Sequence, residues 1–428
     1  MNPKPTEPTP AGRPKGIEGF FAGLGPGLIT GCADDDPSGI STYSMTGALF
    51  GYSFLWSALL TFPLMVTLQT MCGRLALVSG RGLAGVVRRR YSRWVLWGAC
   101  SLLVVANVFN IGADLGGMSA ATELVTGIRS VVWTPIYTLA IVAFLFYSSY
   151  RRIAQIFKWI TLVLLAYVIT AFFAKVDWSQ ALAATFRPHP VWSHDYLEVL
   201  VGILGTTISP YLFFWQASQE VEEQRAAGKT KLAQRRGASN KDLRRMRIDV
   251  WTGMFASNFI MYFIILTTAA TLHAHGLTKI ETARDAALAL RPLAGNAASL
   301  LFTLGLIGTG MLGVPVLAGS CAYAIAEAAA WRGSLDTHPH LARDFYAVIA
   351  AAMAVGLAMN WVGMDAVKML FWSAVLNGLL APPLILLVVL LTGDRKVMGD
   401  RVTSHWQRLL GWITFAIMAS AAVAMFLY

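Results

Sequence analysis

The chain is predicted to be an all-α membrane protein of about eleven transmembrane helices, the first and sixth of them broken. Three observations carry that prediction. Of 428 residues, 56% are hydrophobic and only 13% charged, against about 25% charged in a soluble domain. Apolar runs of the roughly 20 residues needed to cross a hydrocarbon core recur along the whole length. Two of those runs are interrupted by proline and polar residues, and each opens a set of five.

The runs fall at 20–50, 53–72, 94–124, 131–149, 153–174, 195–216, 250–272, 298–330, 344–363, 367–391 and 409–427. The first, third and eighth exceed the length a span needs, which predicts tilt, extension beyond the bilayer or a break. Ahead of them, MNPKPTEPTPAGRPKGIEG (residues 1–19) is polar and proline-rich and lacks the apolar core and small-residue cleavage site of a signal peptide. It is expected to be a disordered cytoplasmic tail. The predicted organisation is a first five-helix repeat over 20–192, a second over 193–392 containing a charged cytoplasmic loop at 217–248, for which an extension of the sixth helix is the alternative, and an extra C-terminal helix in 393–428.

The net charge of +11 would suit a nucleic-acid partner if it formed one patch, but it is divided by topology. With the N-terminus placed in the cytoplasm, the tail and the loops on that side hold 26 Lys and Arg and the opposite side seven, with Lys158 near a span end. This is the positive-inside asymmetry of a multi-pass plasma (inner) membrane protein. The partner is then the lipid bilayer and not nucleic acid, and the C-terminus, after eleven spans, faces outward. Cys32, Cys72, Cys100 and Cys321 all fall in apolar segments without CxxC spacing, so they are expected to be core residues and not a disulfide framework.

GCADDDPSGIST (31–42) places Asp34, Asp35 and Asp36 in the middle of the first run. An ionised carboxylate at a helix centre costs about 2.5 to 3.5 kcal/mol, so three oppose insertion by roughly 10 kcal/mol unless something offsets them. A lipid-facing position is excluded. Pro37 and Gly39 follow, and a proline donates no amide hydrogen bond to the preceding turn, so the helix is expected to unwind. Unwound backbone at membrane depth is tolerated only when buried in protein or lining a wet cavity. Carboxylates beside free carbonyls at that depth make a cation site. The second break is in LEVLVGILGTTISPYLFFWQAS, where Gly205, Thr206, Thr207, Ser209 and Pro210 interrupt the sixth run. Discontinuous helices in corresponding positions of two halves point to the midplane site of an inverted-repeat transporter.

These residues resemble a family. GLGPGLITGCADDDPSG is similar to the first helix of the NRAMP divalent-metal transporters, with its Asp-Pro-Gly-Asn, and GTTISPY is similar to that family's sixth-helix Gly-Ala-Thr-x-Met-Pro-His. Asp249 at the head of the seventh run and LGLIGTGMLGVPVLAGSCAYAIAE in the eighth support the likeness, which spans roughly 20–392. It implies a LeuT-like fold of five plus five helices with one more after them, a metal-binding aspartate at Asp36 and a carbonyl ligand at Thr206. The chain departs from the family's pattern at Gly39 (Asn in the family), Ser209 (Met) and Tyr211 (His). In the third span the family's acidic pair falls on Asn110 and Ala113, with Asp114 displaced, and a tenth-span Gln falls on Ala374.

These departures have a chemical direction. A thioether favours later transition metals, whereas hydroxyl, carbonyl, carboxylate and water suit Mg²⁺, Ca²⁺ and Mn²⁺. Ser209 and Gly39 remove the soft donor and one side-chain ligand and open volume. Mg²⁺ keeps several waters and fits a roomy oxygen-lined site, and the same pattern resembles the NRAMP-related magnesium transporter branch. The expected substrate is therefore Mg²⁺, with Mn²⁺ also carried, moved into the cytoplasm as cargo with no cofactor. All seven histidines (His189, His194, His273, His275, His338, His340, His405) fall in predicted loops or at span ends, leaving none at mid-membrane to shuttle a proton.

Other readings stay open. Asp36 before Pro37 also has the form of a helix N-cap, and Ser209 is also suited to satisfying carbonyls freed by Pro210. Asp34 and Asp35 are expected around the ion or its vestibule, and Asp114 and Asn377 along the pathway or in interhelical hydrogen bonds. The Tyr-Asp and Gly-x-Gly-Asp strings of an intramembrane aspartyl protease do not occur, so no enzyme is expected. A proton-coupled Mn²⁺ or transition-metal symporter, or a transporter of a monovalent or organic cation on the same fold, remains as the alternative.

Overall fold

The computed structural model describes residues 25–147, 162–188, 190, 193–361 and 363–427. The predicted tail 1–19, the first half of the fifth run and His189 lie outside them. No strand occurs among the described residues. Eight stretches of helix are long and apolar enough to cross a bilayer, or nine if Leu162–Phe173 and Trp178–Phe186, bent by 119° at their break, count as one. Two further predicted runs are also helical: the first is divided, and the ninth is a 17-residue helix, Arg343–Met359.

The first run becomes α1 (Pro26–Asp34) and α2 (Pro37–Phe50). α3 (Trp56–Ser79), the short basic α4 (Leu83–Arg90), α5 (Arg93–Thr126) and α6 (Ser130–Tyr147) follow. α7 (Leu165–Phe173) and α8 (Trp178–Phe186) close the first set. α9 (His194–Thr207) and α10 (Pro210–Ala226) divide the sixth run. Then come α11 (Asn240–Thr271), α12 (Ala298–Ala329), α13 (Arg343–Met359), α14 (Ala366–Gly393) and α15 (His405–Leu427).

Two boundaries differ from the sequence reading, for one reason. Hydropathy marks only the apolar part of a helix. The segment expected as a loop over 217–248 is mostly helix, because α10 continues to Ala226 and α11 starts at Asn240 behind a Ser239–Asp242 capping box. The long third and eighth runs are continuous helices of 34 and 32 residues, α12 carrying Pro315 within it.

α5 and α12 run antiparallel against each other, with the Thr303 hydroxyl on the Ala121 carbonyl at one end and Cys100 on the Ala324 carbonyl nearer the other. α1 and α2 pack on α11, and α9 packs on α14. Two of these contacts are backbone to backbone. A Cβ at Gly27 would fall 2.6 Å from the Val250 nitrogen, and a Cβ at Gly205 would collide with the Ala374–Gly378 turn of α14. Small residues let helices approach this closely where lipid supplies no hydrophobic drive. Outside, Val131, Val132, Ile136 and Leu139 of α6 are exposed, as lipid-facing residues are, and Trp94 and Trp406 are exposed at helix starts, where interfacial aromatics sit.

Candidate functional site

The chain leaves α1 at Asp34, passes through Asp35 (φ −84°, ψ 51°) and extended Asp36 (φ −69°, ψ 171°), and enters α2 at Pro37. Asp36 caps α2. Its Oδ1 accepts the Gly39 N–H at 2.8 Å and the Ser38 hydroxyl at 2.7 Å. Its Oδ2 lies on the other side, 3.1 Å from Asn110 Nδ2 and 3.4 Å from the Tyr211 hydroxyl. That hydroxyl has one proton, and its shorter bond, 2.8 Å, goes to the Ala33 carbonyl. Capping therefore occupies one oxygen of Asp36 and leaves the second with lone pairs to offer.

At the sixth-run break, Ile208 (φ −113°, ψ 53°) and Ser209 (φ −72°, ψ 130°) separate the two helices. Pro210 opens α10 for the reason Pro37 opens α2: its missing N–H is not needed at a first helical position. The Ser209 hydroxyl lies 2.8 Å from both the Gly205 and Thr206 carbonyls and shares its one proton between them, the carbonyl-satisfying role that Pro210 calls for. The breaks face one another at Gly39, where a Cβ would stand 3.1 Å from Thr206 Oγ1, 3.3 Å from the Asp34 carbonyl and 3.5 Å from Asp36 Oδ1. α12 closes the back, since a Cβ at Gly313 would lie 3.1 Å from that of Asp36.

The three aspartates diverge. Asp34 Oδ2 and Asp35 Oδ1 both turn to the Ser257 hydroxyl of α11, at 2.7 and 3.2 Å, while Asp36 faces α5 and α10. Among the described residues no three His, Cys, Asp or Glu side chains converge in an arrangement able to hold a metal. A cation at the breaks would depend on Asp36 Oδ2 with neutral oxygens: the Ala33 and Thr206 carbonyls, Asn110 Oδ1 and water. A carbonyl has two lone pairs, so Thr206 can accept from Ser209 and still face an ion. Asp36, Thr206, Ser209, Tyr211, Asp114 and Asn377 are all buried.

Asp114 is buried with no close hydrogen-bond partner, the Ser38 amide at the start of α2 acting on its carboxylate, and Asn377 is buried with neither amide atom bonded. The six described histidines stand at helix starts or between helices. Two features were not foreseen. Asn110, singled out only as the place of a family acid, puts its amide on Asp36. Asp249, singled out only as a likeness, caps α1, with Oδ1 accepting the Gly25 and Leu28 amides at 2.9 and 3.1 Å and Oδ2 the Gly27 amide at 2.6 Å. The signal available for both was a polar residue within or at the head of an apolar run.

Broken first and sixth helices that meet at a buried carboxylate define a multi-pass transport protein of the LeuT-like class. The chain belongs to the Nramp family: the model of that family, natural resistance-associated macrophage protein-like, matches residues 27–428. The divalent metal cation transporter MntH 1 of Pseudomonas aeruginosa is 29% identical over 417 residues, covering 93% of this chain and 89% of the relative. MntH of Deinococcus radiodurans is 26% identical over 414 residues, covering 95% and 89%. In fold, the chain is similar to the Eremococcus coleocola manganese transporter, with a TM-score of 0.75 at 19% identity, covering 96% of this chain and 87% of that one. It is also similar to Mhp1, a nucleobase-cation-symport-1 family transporter, in a closed conformation, with a TM-score of 0.61 at 14% identity and coverage of 94% and 91%.

Proposed function

We propose that the protein is a secondary transporter that moves divalent metal cations, Mg²⁺ in preference and Mn²⁺ as well, into the cytoplasm by alternating access and without proton coupling. The observation that carries this reading is Asp36, a carboxylate with one oxygen fixed by its helix cap and the other presented at the meeting of two helix breaks. Asp36 supplies charge, the Thr206 carbonyl and Ser209 supply neutral oxygen, and Gly39 puts no side chain between Thr206 Oγ1 and Asp36. Positions 39 and 209 add neither thioether nor imidazole, which supports a hard, partly hydrated cation. Asp34, Asp35, Tyr211, Asp114 and Asn377 surround the site or its approach. The metal is cargo and not a resident cofactor.

The energetics support uptake without a second ion. An inside-negative potential of about 100 mV favours entry of a dication by roughly 4.6 kcal/mol, about a thousandfold in concentration. Tyr211, which stands where the family's pattern has histidine, is held on the Ala33 carbonyl and offers no group that titrates near neutrality. The relatives are named only as divalent metal cation transporters, and one structural neighbour as a manganese transporter, so the second reading is the proton-coupled Mn²⁺ symporter held as the alternative from the sequence. Reconstitution in liposomes under a set potential, following Mg²⁺, Mn²⁺, Ca²⁺ and H⁺ separately, decides between them. Potential-driven Mg²⁺ uptake without lumen acidification supports the first reading; Mn²⁺ uptake with stoichiometric proton entry and no Mg²⁺ flux supports the second.

A further inference from the structure

The third span carries three buried polar side chains on one face. Asn107, Asn110 and Asp114 recur at i, i+3 and i+7 along α5, covering about 10 Å of helix at 1.5 Å per residue, and all three are inaccessible to solvent. Asn107 Oδ1, Asn110 Oδ1 and both oxygens of Asp114 have no close hydrogen-bond partner. The amide orientations follow from their neighbours. Asn107 Nδ2 lies 3.0 Å from the Leu317 carbonyl and 2.8 Å from Ser320 Oγ, and Asn110 Nδ2 lies 3.1 Å from Asp36 Oδ2, so a nitrogen is required at each contact. The oxygens are therefore the groups left over. The face offers four acceptor atoms with no close partner, the Asp114 carboxylate having only the Ser38 amide at the start of α2 acting on it, and no unpartnered donor.

A buried polar atom without a partner costs about 1 to 3 kcal/mol, more when charged, and native structures hold few of them. A row made of acceptors alone, at membrane depth, is what a desolvating cation needs. Asn110 stands beside Asp36, with Asp114 one turn further along α5 and Asn107 one turn back. The charges of Asp36 and Asp114 act on each other. Asp34 and Asp35, by contrast, turn to Ser257 of α11. Asp36 and Asp114 together carry the two negative charges that neutralise one dication.

We infer that Asp114, with the amide oxygen of Asn110, forms a second station for the divalent cation, one helical turn from Asp36 on the side where α5 ends. An ion passes between the stations without leaving oxygen coordination, since Asn110 borders both. The station rests on the reading of the protein as a divalent-cation transporter, and its test separates the two. Two dications so close repel, so the second station fills when the first is disabled.

The test uses the purified full chain and Mn²⁺ alone as the probe, in equilibrium dialysis. Asp36→Ala is expected to keep one weakly bound Mn²⁺ per chain, and Asp36→Ala combined with Asp114→Asn to lose it. Retention of that ion in the double variant, or no Mn²⁺ above background in Asp36→Ala, overturns the station. Uptake into liposomes provides an arm that does not depend on the double variant folding. In otherwise unaltered protein, Asp114→Asn is expected to raise the half-saturating Mn²⁺ concentration about tenfold, and Asp114→Glu, which keeps the charge, to stay within about threefold. Equal half-saturation in the parent and Asp114→Asn overturns the station as well. If the parent carries no divalent cation while the dialysis pattern holds, the transport reading fails and the binding station stands.

Discussion

Asp249 of α11 holds the start of α1, its carboxylate accepting the Gly27 amide at 2.6 Å while also taking those of Gly25 and Leu28. A helix leaves its first amides without intrahelical partners, and a carboxylate there also meets the positive end of the helix dipole. α1 has only nine residues, so this end is a large share of what fixes it. Gly27 and Gly31 lie against the α11 backbone at Val250 and Gly253, and the Thr30 hydroxyl lies 2.7 Å from both the Pro26 carbonyl and Gln216 Oε1, the Gln216 amide donating to Glu220. The half-helix that leads to Asp36 is thus tied to α11 and α10 along its length.

Asp249→Ala removes the acceptor of three amides and is expected to lower stability by about 1 to 3 kcal/mol and to free α1 from α11. Cys32 lies on α1 and is partly accessible, whereas Cys72, Cys100 and Cys321 are buried. A charged thiol reagent should label Cys32 several times faster in the variant, and Asp249→Asn, which keeps one acceptor oxygen, should fall between. Equal labelling rates and equal melting temperatures in all three proteins would show that α1 is held by its glycine contacts alone.

Gly39→Asn with Ser209→Met is expected to shift preference from Mg²⁺ towards Mn²⁺ and Cd²⁺. Any side chain at Gly39 enters the space between Thr206 Oγ1 and Asp36, and Met at 209 supplies a soft donor while releasing the Gly205 and Thr206 carbonyls from the serine hydroxyl. The two changes share neighbours, so their effects should not add. The ratio of Cd²⁺ to Mg²⁺ uptake in both singles and the double reads the effect. A folded double variant with an unchanged ratio would move selectivity away from these positions.

Metal entry is expected to rise with an imposed inside-negative potential and to leave lumen pH unchanged. With Tyr211 bonded to Ala33 and the six described histidines at helix starts or between helices, no imidazole stands beside Asp36 to carry a proton. A pH-sensitive dye trapped in the vesicles, read alongside Mg²⁺ flux, checks this; acidification in proportion to the metal would replace uniport with symport.

The helix breaks were legible because they violate a local rule: charge and proline do not belong in the middle of an apolar run. The two broken segments were found that way, while the choice of Asp36, Gly39, Thr206 and Ser209 within them came from the family resemblance, and the structure brings the two segments face to face. Asn110 and Asp249 were legible only as polar residues in or beside apolar runs, because their roles depend on partners 74 and more than 220 residues away. Asp34 and Asp35 show the converse limit. Adjacency to Asp36 placed them near the ion, but the turn at Asp35 swings both towards Ser257, a direction that no pattern of residue types encodes. The start of α11 went unrecognised, and the end of α10 stood only as an alternative, because charged helix extends beyond the apolar part of each.

Mg²⁺ uptake by Asp36→Ala, compared with the parent chain in the same liposomes at the same potential, tests the central claim most directly. Asp36 lies at the first break with its Oδ2 3.4 Å from the Tyr211 hydroxyl that follows the second, and without it the ion loses the charged ligand placed between them. The account predicts that the parent accumulates Mg²⁺ and that Asp36→Ala, folded and reconstituted to the same level, does not. Uptake by Asp36→Ala at the parent's rate would contradict it.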